Sequence, residues 1–326
     1  MRGPILFIIS VMTTLNSLPL SWARARVVEP QFTVVRLPLS GAAWIPVADV
    51  PFHMPFNVIY NRLAELQGNG FVLQLCNRAL SRFVTRRGGQ ALQVGLEAVL
   101  PLQKDHQFKP SVEALARRGL RHGRVREVLA GPNSDGALAR LAAASRHGRK
   151  PQLAFAYRTR LESGGRGFAL VTSGGDWLGA VTLSRASQTG LHTELLLRHR
   201  AAPVGVMEAL VLHVFSVLQA EGWTQWSLGG VPFASMDDLP GVKGGGPGYR
   251  QRLQKSHVVN QAGRTLKFAY NYRGLLNFKA KFTPRWEPLF LCGSRGLSWA
   301  MLFDLAHKSR YFHLVGRQAH NRMLNI

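Results

Sequence analysis

The chain is poor in acids. Of its 326 residues, 17 are Asp or Glu against 41 Lys or Arg, a formal net charge of +24. So few carboxylates argue against a hydrolase built on paired acids. A positive surplus of this size implies an anionic partner, either nucleic acid or an anionic lipid surface. Cysteine is scarcer still. Cys76 and Cys292 stand far apart in sequence, so they make neither a disulfide framework nor a CxxC metal site. The histidines are scattered, with no HExxH motif and no His/Cys cluster, and no metal is expected. Neither a GxSxG elbow nor a GxxxxGK[ST] loop occurs.

Long apolar runs are also lacking, apart from one. Residues 5–20, ILFIISVMTTLNSLPL, follow Arg2 and precede Ala23-Arg24-Ala25, which has small residues at A-x-A spacing. Segment 1–26 therefore reads as signal-like, as an anchor, or as the residue of a longer membrane region. The composition as a whole, 46% apolar, suits a folded protein rather than a disordered or polytopic one.

The pattern predicts an α/β fold in two halves, 27–150 and 151–296, with a basic amphipathic tail at 297–326. In the first half, strands are expected at 43–47, 71–76 and 91–96. Helices are expected at 55–68, 80–87, 110–130 and 135–147. In the second half, strands are expected at 153–160, 167–172, 177–184, 191–197 and 223–228. Met207, Leu210, Val211, Val214, Phe215 and Leu218 recur at helical spacing, so a helix at 205–221 buries one face. Residues 229–248 hold seven Gly and three Pro and read as a loop.

Four stretches carry chemistry. The first is the strand–loop–helix unit RHRAAPVG at 198–205. A helix start offers unpaired N–H groups, Gly205 would admit a ligand to the backbone, and Arg198 and Arg200 add charge. Its spacing loosely resembles the pyrophosphate loop of GNAT-type acyltransferases. The second is 249–322, with 14 Lys or Arg against Glu287 and Asp304, interleaved with aromatics. Within it Arg273, Lys279 and Lys281 are the hardest to explain by packing. The third is the expected helix at 110–130, on which Arg117, Arg121 and Arg124 line one face as a polyanion surface. The fourth is the tail, where Trp299, Met301, Leu302, Leu305 and Phe312 mix with His307, Lys308 and Arg310. That mixture suits either an anionic membrane surface or a helix docked on its own domain. Acids able to hold a substrate amine are few: Glu194, Glu208, Asp237 and Asp238.

The segment FAYNYRGLLNFKAKFTPRWEPLFL at 268–291 resembles the closing signature of the phosphatidylglycerol lysyltransferase C-terminal domain, the catalytic part of the multiple peptide resistance factor family. The stretches LLLRHRAAPVGVMEALV at 195–211 and WSLGGVPFA at 226–234 are similar to two further family segments, in the same order. The resemblance implies two tandem GNAT-like halves, each a mixed sheet flanked by helices and related to Fem-type aminoacyl transferases. It implies an aminoacyl-tRNA co-substrate, no other cofactor, and a phospholipid hydroxyl as acceptor. It further implies a cytoplasmic protein, peripheral to or anchored in the inner membrane. On this basis Arg198 and Arg200 hold a phosphate, with Gly205 and Arg273 beside them. Lys279 and Lys281 lie near the reacting centre or the phosphate. Two positions depart from the family: Leu195 and Lys267 stand where it carries acids. Both changes remove negative charge from the expected amine site. A non-catalytic relative that binds tRNA or anionic lipid, and an acyl-CoA-dependent N-acyltransferase, are the competing expectations.

Overall fold

The computed structural model describes residues 16–146, 148, 153–155, 157–162, 164–239 and 272–316. The first elements are strands β1 (Trp22–Ala25), β2 (Gln31–Phe32), β3 (Val35–Arg36), β4 (Ala43–Ile45) and β5 (Ala48–Pro51). Helix α1 (Phe56–Leu66) leads to β6 (Phe71–Cys76), and α2 (Arg78–Arg86) to the long β7 (Gln90–Pro101). Then come α3 (Pro110–Leu120), β8 (Arg124–Val128) and α4 (Pro132–Ala144). Strands β9 (Arg166–Val171), β10 (Trp177–Arg185) and β11 (Gly190–Arg198) precede α5 (Val206–Ala220) and β12 (Gln225–Pro232). Helix α6 (Tyr272–Ala280), β13 (Arg285–Gly293) and α7 (Trp299–Lys308) complete the series.

Ten strands form one sheet in the order β3-β4-β6-β13-β7-β12-β11-β10-β9-β8. Two neighbouring pairs are parallel, β4 with β6 and β11 with β12. Each is bridged by a helix, α1 in one case and α5 in the other, so the mixed α/β pattern occurs twice. Both crossover helices follow their apolar spacing. Phe56, Ile59, Tyr60 and Leu63 bury one face of α1, and Met207, Leu210, Val211, Val214, Phe215 and Leu218 do so in α5. The pairing does not follow a division at 150. Strand β8 and helices α3 and α4, all before that point, pack with β9, α5, β10 and β11. Strand β13, from the far end of the chain, lies between β6 and β7.

Three local expectations are corrected. Residues 110–130 are not one helix: α3 ends at Leu120 and β8 follows. Gly123 lies where an added Cβ would meet the Val171 carbonyl at 2.3 Å, and the alternating RVREV segment pairs with β9. Residues 153–160 form no strand in their described part. Phe155 has φ +60°, and Arg158 turns into the interior instead. Of segment 1–26, residues 22–25 are β1, paired parallel with β5. Trp22 is fully buried there, and the Arg24 guanidinium donates to the carbonyls of Pro51 (2.7 Å), Met54 (2.6 Å) and Asn16 (3.1 Å). The A-x-A stretch is thus a core strand. Cys76 and Cys292, distant in sequence, share one apolar cluster as free thiols.

Gly205 has the clearest steric role. Its φ is +102°, and a Cβ there would meet the Leu115 carbonyl at 2.1 Å; a Cβ at Gly119 would meet the Gly205 carbonyl at 2.3 Å. The two glycines let α3 cross the start of α5 backbone to backbone. Gly205→Ala is therefore expected to destabilise the fold by about 2–4 kcal/mol, read as a lowered midpoint in urea unfolding.

Candidate active site

Strands β11 and β12 pair over three residues each, Gly190–His192 with Gln225–Ser227. After that the register of β12 against β7 shifts between Ser227 and Gly230. Gly229 takes φ +89° and donates its N–H to Ser227 Oγ at 3.0 Å. Lys279 reaches this point from α6. Tyr272, Leu276 and Lys279 recur at i, i+4 and i+7, so the amine occupies a core-facing position of its helix. Tyr272 and Leu276 pack with Leu96 and Val231. Lys279 is 4% exposed, and its Nζ donates to the Gly230 carbonyl at 3.0 Å. Burial pushes its pKa down to about 7, and the nearby Glu97 only partly offsets this.

Glu97 on β7 and Glu287 on β13 are direct register partners. They line a cleft of about 100 Å³ together with Ser227, Gln225, Asn77 and Ser187. Burial raises the Glu97 pKa, while a hydrogen bond from Ser227 opposes the rise; Glu287 raises it further, and His192 and Lys279 lower it. Two carboxyl groups beside hydroxyl and amide groups can hold a cationic or polar group. Glu97 went unnoticed in sequence, although a lone acid inside the apolar run 94–100 was the available signal.

Of the acids expected to hold an amine, Glu194, Glu208 and Asp238 are engaged elsewhere. The Glu194 carboxylate is bonded by His192 Nε2 at 2.8 Å and paired with Arg158 Nε at 3.2 Å. Arg158 in turn bonds Asp49 at 2.9 Å and the Ala48 carbonyl at 3.0 Å. Burial alone would raise the Glu194 pKa, but His192, Arg158 and Ser184 outweigh it, and the net shift is downward. Asp238 caps its own 3-10 turn at Met236–Asp238, accepting from Ser235 N at 2.8 Å, and Asp237 is exposed. Glu208 binds Lys281 Nζ at 2.9 Å.

The expected anion mouth is largely occupied by its own backbone. Arg198 donates to the Ala202 carbonyl at 2.6 Å, Gly205 is covered by α3, and Lys281 braces the first turn of α5 through Glu208. Arg200 and Arg273 are exposed. Of Arg198, Lys279 and Lys281, none lines the cleft, but Lys279 lies within reach of the Glu97 charge. Arg117 and Arg121 are exposed at the end of α3 and Arg124 on β8, so the three do not share one helix face. Leu195 is buried on β11 and offers no substitute acid; Lys267 lies outside the described residues. Among the described residues no cluster of His, Cys, Asp and Glu could hold a metal, and no helix is long and apolar enough to cross a membrane.

A family model, phosphatidylglycerol lysyltransferase, C-terminal, matches residues 59–293. Among solved structures, L-PGS from Bacillus licheniformis superposes with a TM-score of 0.62 at 15% identity, covering 94% of this chain and 97% of that one. The C-terminal domain of a candidate lysylphosphatidylglycerol synthetase from Agrobacterium fabrum gives 0.60 at 18% identity, covering 85% and 84%. These likenesses show the fold. A search of curated protein sequences finds no match.

Two measurements probe the buried charges. Between pH 7 and about 10.5 the unfolded chain holds a proton at residue 279 that the native state releases, so native stability rises with pH across that window. Lys279→Met is expected to stabilise the protein at pH 7 and below, with the gain shrinking toward pH 10; thermal melts at stepped pH read this directly. Arg158→Ala leaves Glu194 and Asp49 without their shared partner and is expected to cost about 3–5 kcal/mol in denaturant unfolding.

Proposed function

The chain belongs to the phosphatidylglycerol lysyltransferase C-terminal family, and from that premise we propose that it moves an aminoacyl group from aminoacyl-tRNA to the hydroxyl of a phosphatidylglycerol-like lipid. The observation that carries the reading is the buried Lys279 amine, poised near neutrality where β11 and β12 part. The donor is an ester, already activated, so positioning and proton movement can supply much of the rate without a protein nucleophile.

In this reading the neutral Lys279 amine, buried behind the cleft, takes the proton of the lipid hydroxyl through one bridging water as its oxygen attacks the ester carbonyl. The carbon–oxygen bond to the tRNA ribose breaks, and the proton passes to the departing ribose oxygen. An amine with a pKa near the working pH suits both transfers. Glu97 and Glu287 give the adjacent cleft a wall for the aminoacyl ammonium group, in place of Glu194, Asp237 and Asp238. The exposed Arg117, Arg121, Arg124 and Arg200 draw in the polyanionic donor.

The test is direct. Purified protein is incubated with each radiolabelled aminoacyl-tRNA and phosphatidylglycerol vesicles, and label is followed into the lipid phase. Label is expected for at least one amino acid, with a rate that rises through pH 7. Lys279→Met, which carries no base and is expected to stay folded, is expected to reduce the rate at least about 100-fold. Binding of tRNA without any transfer would instead establish a non-catalytic relative.

A further inference from the structure

The family match ends at residue 293, and the chain continues into α7. One side of this helix is well accounted for. Met301 is buried in a cluster with Leu37, Trp44 and Leu297, and Leu302 and Leu305 pack against it. Asp304, also buried, accepts from Leu39 N at 3.0 Å, Ser40 N at 2.9 Å and Ser40 Oγ at 3.1 Å. The other side is different. Trp299, Phe303 and His307 recur at i, i+4 and i+8 and are exposed, and Arg310, in the turn that follows the helix, is exposed as well. Trp299 is 54% exposed, Phe303 53% and Phe312 44%; the last two rings lie 5.1 Å apart. Leu39, in the loop that Asp304 holds, is 64% exposed.

We propose that this outer face of α7 is a docking surface for an anionic lipid bilayer. Trp299, Phe303 and Phe312 enter the headgroup boundary, and Leu39 enters beside them. Arg295, His307, Arg310 and His313, all exposed, are interspersed with these rings along the chain, while the one acid in residues 294–316, Asp304, is turned inward. Aromatic rings edged by cations match the membrane–water interface, where rings settle at headgroup depth and basic groups meet lipid phosphates. A ten-residue helix is too short to span a bilayer, so it lies in the surface plane. A second copy of the chain is the poorer occupant: a two-fold contact would press identical basic rims together. The inference goes beyond the transfer reaction and holds whether or not that reaction occurs.

The full chain is sedimented with vesicles of phosphatidylglycerol and phosphatidylcholine, without tRNA. The triple variant W299A/F303A/F312A is expected to partition about tenfold less onto phosphatidylglycerol vesicles, and R295E/R310E to lose preference for them over phosphatidylcholine. Circular dichroism melts check folding. As a milder variant, W299F is expected to keep its binding and lose part of the fluorescence quenching by brominated lipid. Unchanged vesicle partitioning in the triple and charge-reversed variants overturns the proposal. So does a drop in mass of the triple variant by sedimentation velocity, which would make the ridge an interface between copies. Loss of RNA binding with vesicle binding intact also overturns it. Transfer of label by a variant that has lost vesicle binding would separate this surface from the reaction.

Discussion

The parallel ladder between β11 and β12 runs for three residue pairs, and the site depends on where it stops. Past the ladder, Lys279 Nζ donates to the Gly230 carbonyl. The same contact that closes the sheet thus buries an amine, and burial is what moves its proton equilibrium toward neutrality. Glycine at 229 is part of the arrangement, since the backbone turns through positive φ there beside the lysine.

The scarcity of acids acquires a physical meaning once their positions are known. Asp49, Glu194, Glu208 and Asp304 are committed to internal partners: Arg158, His192, Lys281 and the backbone of the 37–41 loop. Glu97 is buried at the cleft. The arginines of α3 and β8 remain in solvent with few carboxylates to screen them. Net charge alone would suggest a diffuse basic surface. The structure instead commits these five carboxylates to internal partners or the cleft, while Arg117, Arg121, Arg124 and Arg126 face solvent.

Helices with a single apolar face were legible from sequence because helical period and burial agree there; α1 and α5 are cases of this. The 110–130 stretch was not, because Arg-rich helix and Arg-rich edge strand share a composition. What separates them is a steric fact, the contact of Gly123 with the Val171 carbonyl, supplied by a strand some 50 residues away. Gly205 misled for the same reason. A glycine before a helix suits both a bound phosphate and a second helix, and only the position of Leu115 decides between them. Glu194 looked available because its ion-pair partner, Arg158, comes from a distant segment.

The cleft could not have been assembled from either half of the chain. Glu97 comes from β7, Ser227 from β12 and Glu287 from β13, three neighbouring strands drawn from both ends of the sequence. Strand β13 reaches Glu97 by crossing into the sheet of the opposite half, and α6, which carries Lys279, is the element that precedes it. The closing segment therefore delivers the lysine to the second half and the glutamate to the first in one pass. That is a physical reason for the signature to be dense over 272–291, where its residues must satisfy two packing environments and an ionisable cleft together. The exchange of strands makes the site a property of the whole sheet, so a change that loosened β13 would move the amine and the carboxylates at once.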